Sequence, residues 1–150
     1  MDVHRIPSPK GLYASVVHPK IQIKTSDARN ILSETITLKQ HVLQSGNLGG
    51  LIIGLYNSDF DLIGRSLQDL IIEPQRSKLI PGFKEIQDTA MNQGALGCSI
   101  SGAGPSIVAL SANSMTAENV GNAMQKVFTD MKITSQLFIS TVNQEGAYKF

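Results

Sequence analysis

The chain has 150 residues, 41% of them apolar, and a formal net charge of +1. That is the size of one domain with enough apolar material for a real core, and a charge so close to zero excludes the large basic field that steers nucleic acid or anionic membrane surfaces. There is no Trp, the three Tyr and five Phe are scattered, and the longest apolar run, Leu51-Ile52-Ile53-Gly54-Leu55, is far too short to span a bilayer.

Met1-Asp2-Val3-His4-Arg5 leads into Ile6-Pro7-Ser8-Pro9, an extended opening without an apolar signal core. Leu12 to Val17 predicts the first strand, interrupted by Pro19, with Ile21-Gln22-Ile23 as a short edge strand. Thr25 is the expected N-cap of a short helix over Ser26 to Leu32, with Asp27 against its positive end. Thr35 to Ser45 predicts a helix broken at Gly46-Asn47, after which Leu48, Leu51, Ile52, Leu55 and Tyr56 recur at helical spacing. Gly49, Gly50 and Gly54 fall in that last segment. Each costs roughly 1 kcal/mol of helix propensity, so their number suggests close backbone packing.

Ser58 or Asp59 caps the next expected helix, whose stripe is Phe60, Ile63, Leu67, Leu70 and Ile71, and Pro74 ends it. Glu73 to Gly82 reads as a turn-rich connector. Phe83, Ile86, Ala90 and Met91 form another helical stripe, stopped at Gly94.

The most informative stretch runs from Gly94 to Leu110. Leu96, Cys98 and Ile100 alternate with small or polar residues, and Ile107 to Leu110 is a continuous apolar run, so two strands flank Ser101-Gly102-Ala103-Gly104-Pro105-Ser106. Gly102 and Gly104 tolerate positive φ, and Pro105 lacks a backbone donor. Two readings stay open here: a hairpin with a glycine-rich turn, or bare N–H groups and the hydroxyls of Ser99, Ser101 and Ser106 lining an anion or substrate site. The spacing is not G-x-G-x-x-G, because its sixth position is Ile107, and no G-x-x-x-x-G-K-[ST] loop occurs.

Ser114 or Thr116 caps a last long helix with Ala117, Val120, Met124, Val127, Phe128 and Met131 on one side. Leu137 to Val142 is a strand, and Ala147 to Phe150 a short final one. The single cysteine, Cys98, excludes an internal disulfide, suits the cytoplasm and reads as a small buried hydrophobe. His4, His18 and His41 have no ligand-like spacing, so no metal site is expected. The element order is that of an α+β, ferredoxin-like split β-α-β sandwich: four antiparallel strands, with a helical insertion in the first crossover.

Gly94-Ala-Leu-Gly-Cys-Ser-Ile-Ser-Gly-Ala-Gly-Pro-Ser106 resembles the third motif of the superfamily of galactokinase, homoserine, mevalonate and phosphomevalonate (GHMP) kinases. Within it, Lys24-Thr-Ser-Asp-Ala-Arg29-Asn-Ile-Leu32 and Glu73-Pro-Gln-Arg76-Ser-Lys-Leu-Ile-Pro-Gly82 are similar to homoserine kinases. The resemblance covers the carboxy-terminal half of such an enzyme, so residues 1–150 are expected to be a GHMP kinase C-terminal domain, with 1–10 as linker from an N-terminal ATP-binding domain. It implies transfer of the ATP γ-phosphate to L-homoserine in the threonine route, with ATP and Mg2+ held mainly by that other domain. Arg29 and Arg76 match family arginines that meet the homoserine carboxylate, and Thr25 matches a threonine of the same pocket. Ser101, Gly102, Ala103, Gly104 and Ser106 would border and brace the nucleotide loop. No catalytic base is expected in this half. The chain alone is expected to be inactive. A homodimer would suit the exposed sheet edges. The alternatives are another small-molecule kinase of the superfamily or a non-catalytic amino-acid-binding module; the long stretch between Val17 and Gly94 weighs against the latter.

Overall fold

The computed structural model describes residues 2 and 4–146. Strands β1 (Tyr13–Pro19), β2 (Gly97–Ile100), β3 (Ile107–Ser111) and β4 (Ser135–Thr141) form one sheet in the order β2-β3-β1-β4, antiparallel throughout. Between β1 and β2 lie α1 (Thr25–Asn30), α2 (Leu38–Asn57), α3 (Phe60–Ser66), α4 (Glu73–Arg76), a 3-10 turn over Ser77–Leu79, and α5 (Phe83–Asn92). Helix α6 (Ser114–Asp130) joins β3 to β4. This is the expected split β-α-β sandwich with helices inserted in the first crossover.

The register places Val17 opposite Ile107 on one side and Leu137 on the other. These side chains, with Ala109 and Cys98, meet Phe83 and Ile86 of α5 and Val120, Met124 and Phe128 of α6 in a single core. Small residues let α6 lie close to the sheet. A Cβ at Gly121 would stand 2.9 Å from Leu137 Cδ1 and 3.3 Å from Ser15 Cβ, and the buried Ser15 hydroxyl donates to the Ala117 carbonyl at 2.6 Å. On the opposite side of β2, Gly97 receives Leu67: a Cβ on Gly97 would lie 2.7 Å from Leu67 Cβ.

Several boundaries differ from expectation, each for a visible reason. β1 runs through Pro19, which takes its last position, where a missing donor costs least. Ile21 to Ile23 is not a strand; the chain turns after Lys20 bonds Thr134 O, and Ile21 and Ile23 pack against the core instead. Lys24, not Thr25, is the N-cap of α1, without a side-chain cap bond, so Thr25 is the first helical residue.

Helix α2 is continuous across Gly46-Asn47. It starts from a capping box in which the Thr37 hydroxyl accepts from the Gln40 N–H and the Gln40 side chain accepts from the Thr37 N–H. Asp59 caps α3 as expected, accepting from Leu62 N–H at 2.9 Å. That helix stops at Ser66, so Leu67, Leu70 and Ile71 leave the helical stripe. Pro74 does not end a helix; it sits in the first turn of α4, where its lost N–H would have had no partner. Asn113, one residue before the expected cap, accepts from Thr116 N–H at 2.8 Å at the head of α6. The expected strand at Ala147 to Phe150 lies outside the described residues.

The glycines of α2 separate by environment. A Cβ on Gly54 would meet the Ile63 backbone nitrogen and Cγ1 at 3.0 Å and the Asp59 carbonyl at 3.3 Å, whereas one on Gly46 meets nothing within 4 Å. Gly54→Ala is therefore expected to destabilise the protein by about 1–3 kcal/mol through overpacking, while Gly46→Ala stabilises it by about 0.5–1 kcal/mol through helix propensity. Urea denaturation of the two variants checks the opposite signs.

Candidate functional site

The glycine-rich turn between β2 and β3 is closed by its own backbone. Ser101 N–H donates to Ser106 O at 2.8 Å and Gly104 N–H to Ser101 O at 3.1 Å. Gly102 and Gly104 adopt φ of 62° and 83°, which L side chains rarely take. Gly104 also needs its bare Cα. A Cβ there would stand 3.3 Å from Ile80 Cδ1 and 3.4 Å from Ile100 Cγ2, while nothing lies within 4 Å of one on Gly102. The turn is thus seated on apolar side chains at one shoulder and open at its tip, where Ser101, Gly102 and Ala103 are exposed.

Arg76, the last residue of α4, joins this turn to α1. Its Nε donates to the Ala28 carbonyl at 3.2 Å and its Nη1 to the Gly102 carbonyl at 3.3 Å. Three segments far apart in sequence therefore meet at one guanidinium. The structure places Arg29 in the last turn of α1, directly after Ala28 and exposed, with no ion pair among the described residues. Thr25 is exposed in the first turn of the same helix. Among the described residues no hydrogen bond ties Thr25 or Arg29 to Arg76 or to the turn. An adjoining open cavity of about 990 Å3 is lined by Pro74, Ser77, Lys78 and Phe83 but not by Arg76.

Short as it is, α4 is held firmly. Gln87 of α5 donates from Nε2 to Glu73 Oε1 at 2.9 Å and to the Cys98 carbonyl at 3.0 Å, so one amide ties the start of α4 to β2. Gln75 Oε1 accepts from Ser33 N–H at 2.7 Å, tying the same helix to the segment after α1. On the other flank of the turn, Ser106 Oγ lies 2.8 Å from His18 Nδ1 of β1. Sequence reasoning gave Gln87, Glu73 and His18 no positioning role, although Glu73 opens one of the matching segments. No local pattern marks them, because each acts across the tertiary structure; His18 and Ser106 are 88 positions apart.

With this geometry in place, comparison with known proteins gives the class. The signature described as GHMP kinases C terminal matches residues 51–130, and the chain belongs to that family. Over 149 residues it is 49% identical to the homoserine kinase of Chlorobium phaeobacteroides (strain BS1), covering 98% of this chain and 47% of that protein. It is 46% identical to the homoserine kinase of Chlorobaculum tepidum, covering 98% of the chain and 46% of the relative. A crystal structure of homoserine kinase from Cytophaga hutchinsonii superposes with a TM-score of 0.94 at 53% identity, over 95% of this chain and 45% of that one. L. major mevalonate kinase, in complex with R-mevalonate, shares the fold at a TM-score of 0.65 and 18% identity. The chain spans about half the length of the curated relatives it matches. No helix among the described residues is long and apolar enough to cross a membrane.

Cys98 behaves as a buried hydrophobe. Burial, and secondarily the Glu73 carboxylate, push its thiol up from an ordinary 9.0 to about 12. In the unfolded chain the thiol ionises near 9.0, whereas the folded protein keeps its proton until about 12. Stability from this group is therefore whole below pH 9 and is lost as pH rises toward 12. Native protein is expected to resist iodoacetamide at pH 9, and Cys98→Ala to flatten the alkaline fall in urea stability; rapid labelling of the folded protein would contradict this.

Proposed function

We propose that this chain is the acceptor-side, carboxy-terminal half of a homoserine kinase, an enzyme that transfers the ATP γ-phosphate to the hydroxyl of L-homoserine to give O-phospho-L-homoserine, in the cytoplasmic route to threonine. The observation that carries the proposal is the Arg76 guanidinium bridging α1 and the glycine-rich turn, in a chain whose full-length relatives are homoserine kinases.

Phosphoryl transfer is mostly positioning and charge neutralisation. In this reading Arg76 and Arg29 hold the acceptor carboxylate. A guanidinium suits it because paired N–H groups match two carboxylate oxygens. Arg76 commits Nε and Nη1 to backbone carbonyls, which fixes the plane of the fork and leaves Nη2 to donate. Thr25, four residues before Arg29 and so on the same face of α1, adds a hydroxyl. Ser101, Gly102, Ala103, Gly104 and Ser106 form a rigid wall that braces the nucleotide loop.

Among the described residues no three His, Cys, Asp or Glu side chains gather into a group able to hold a metal ion. In this reading ATP and Mg2+ are held mainly by the N-terminal half, which residues 1–10 would join to this one. The reading includes a homodimer, compatible with β4 as an edge strand and with Leu38 and Val42, exposed one turn apart on α2; sedimentation velocity of the complete enzyme tests that.

In the complete enzyme, Arg76→Ala is expected to raise the KM for homoserine by about ten- to hundredfold, the equivalent of losing a charge-assisted contact of roughly 1.5–3 kcal/mol, with a much smaller change for ATP. Equal effects on both substrates, or turnover of mevalonate in preference to homoserine, would overturn the assignment. The purified 150-residue chain is expected to show no ATP-dependent phosphorylation, read as phosphate transfer from labelled ATP.

A further inference from the structure

The glycine-rich turn carries two side-chain anchors from other elements, one at each shoulder. Arg76 grips the Gly102 carbonyl on one side. On the other, His18 of β1 meets the Ser106 hydroxyl at 2.8 Å, and the Ser106 carbonyl in turn closes the turn by accepting from Ser101 N–H. His18 holds a hydroxyl whose own backbone shuts the loop. The two anchors differ in the side of the site they serve. Arg76 keeps Nη1 on Gly102 while Nη2 serves the acceptor in the reading above, so that shoulder belongs to the acceptor side. The contact from His18 comes from the sheet, at the penultimate residue of β1, where His18 pairs with Gln136 of β4. That strand is the rigid element of the site, and a rigid neighbour is what a positioning contact needs.

We propose that His18 is a positioning residue for the phosphate-donor side of the reaction: through Ser106 it keeps the glycine-rich turn in the register that braces the nucleotide. The proposal rests on the kinase reading above and adds a residue to it. Chemically the pair is simple. Imidazole Nδ1 and the Ser106 hydroxyl share one proton between them, and neither group reacts. Loss of the contact lets the hydroxyl rotate and the second shoulder of the turn drift, which weakens nucleotide binding without touching the carboxylate pocket on α1.

The test is steady-state kinetics on the complete enzyme, wild type against His18→Ala, Ser106→Ala, the double variant and His18→Asn. His18 is exposed, so its replacement leaves the core intact. His18→Ala is expected to raise the KM for ATP about three- to tenfold, as loss of one hydrogen bond would, with the KM for homoserine unchanged. Ser106→Ala should match it, the double variant should be no worse than either single one, and His18→Asn, whose side-chain amide can take the place of Nδ1, should recover most of the loss. An ATP KM that stays at the wild-type value, an equal rise for both substrates, or additive losses in the double variant would overturn the role of His18. Failure of the kinase reading is told apart from these results, because it appears in the wild-type enzyme as preference for another acceptor.

Discussion

One guanidinium holds the candidate site together. Arg76 donates to the backbone of α1 and to the backbone of the β2–β3 turn at once, and no other hydrogen bond among the described residues joins those two segments. The bond to Ala28 is partly buried and the bond to Gly102 is exposed, so water screens the second more than the first. Arginine suits the task better than lysine, because a planar fork can satisfy two carbonyls in fixed directions and still present a further edge.

The rest of the domain serves to deliver that side chain. A four-residue helix has no independent stability, so α4 owes its position to its neighbours. Gln87 clasps Glu73 against β2, and Gln75 reaches the chain after α1. Gln87 stands on α5, whose Phe83, Ile86 and Ala90 are buried in the core. The path from core to site is therefore short: sheet and α5 fix Gln87, Gln87 fixes Glu73, and Glu73 stands one helical turn before Arg76. The close approaches at Gly54, Gly97 and Gly121 belong to the same economy of small residues, which let helices and strands come near enough for such links to form.

The turn is a hairpin connection, and in the proposed function it also walls the site. Its strands pair regularly, Cys98 with Ala109 and Ile100 with Ile107, so the plain hairpin reading holds. The same turn offers open backbone at Gly102 and is anchored from two directions. Of the bare N–H groups that a substrate-site reading would use, Ser101 and Gly104 spend theirs inside the turn. A tight turn of this kind must expose some peptide groups, and surrounding side chains decide whether those groups are idle or held for use.

The linear chain by itself settled the main succession of strands and helices, the helical insertion, the buried stripe of α6 and the buried thiol, because each is a local pattern: period two, period 3.6, or a lone cysteine at an apolar position of an alternating strand. Resemblance of three segments added Arg29, Arg76 and Thr25 as candidates. Folding decided what those patterns leave blank. It carried Gly46 inside a continuous helix because capping and the α2–α3 contact outweigh one glycine, and it put Pro74 at a helix start rather than an end. It also brought His18 to Ser106, and Gln87 to Glu73. Such contacts depend on distances between elements, and a distance between two segments is a property of the packed core, which no local window of residues contains.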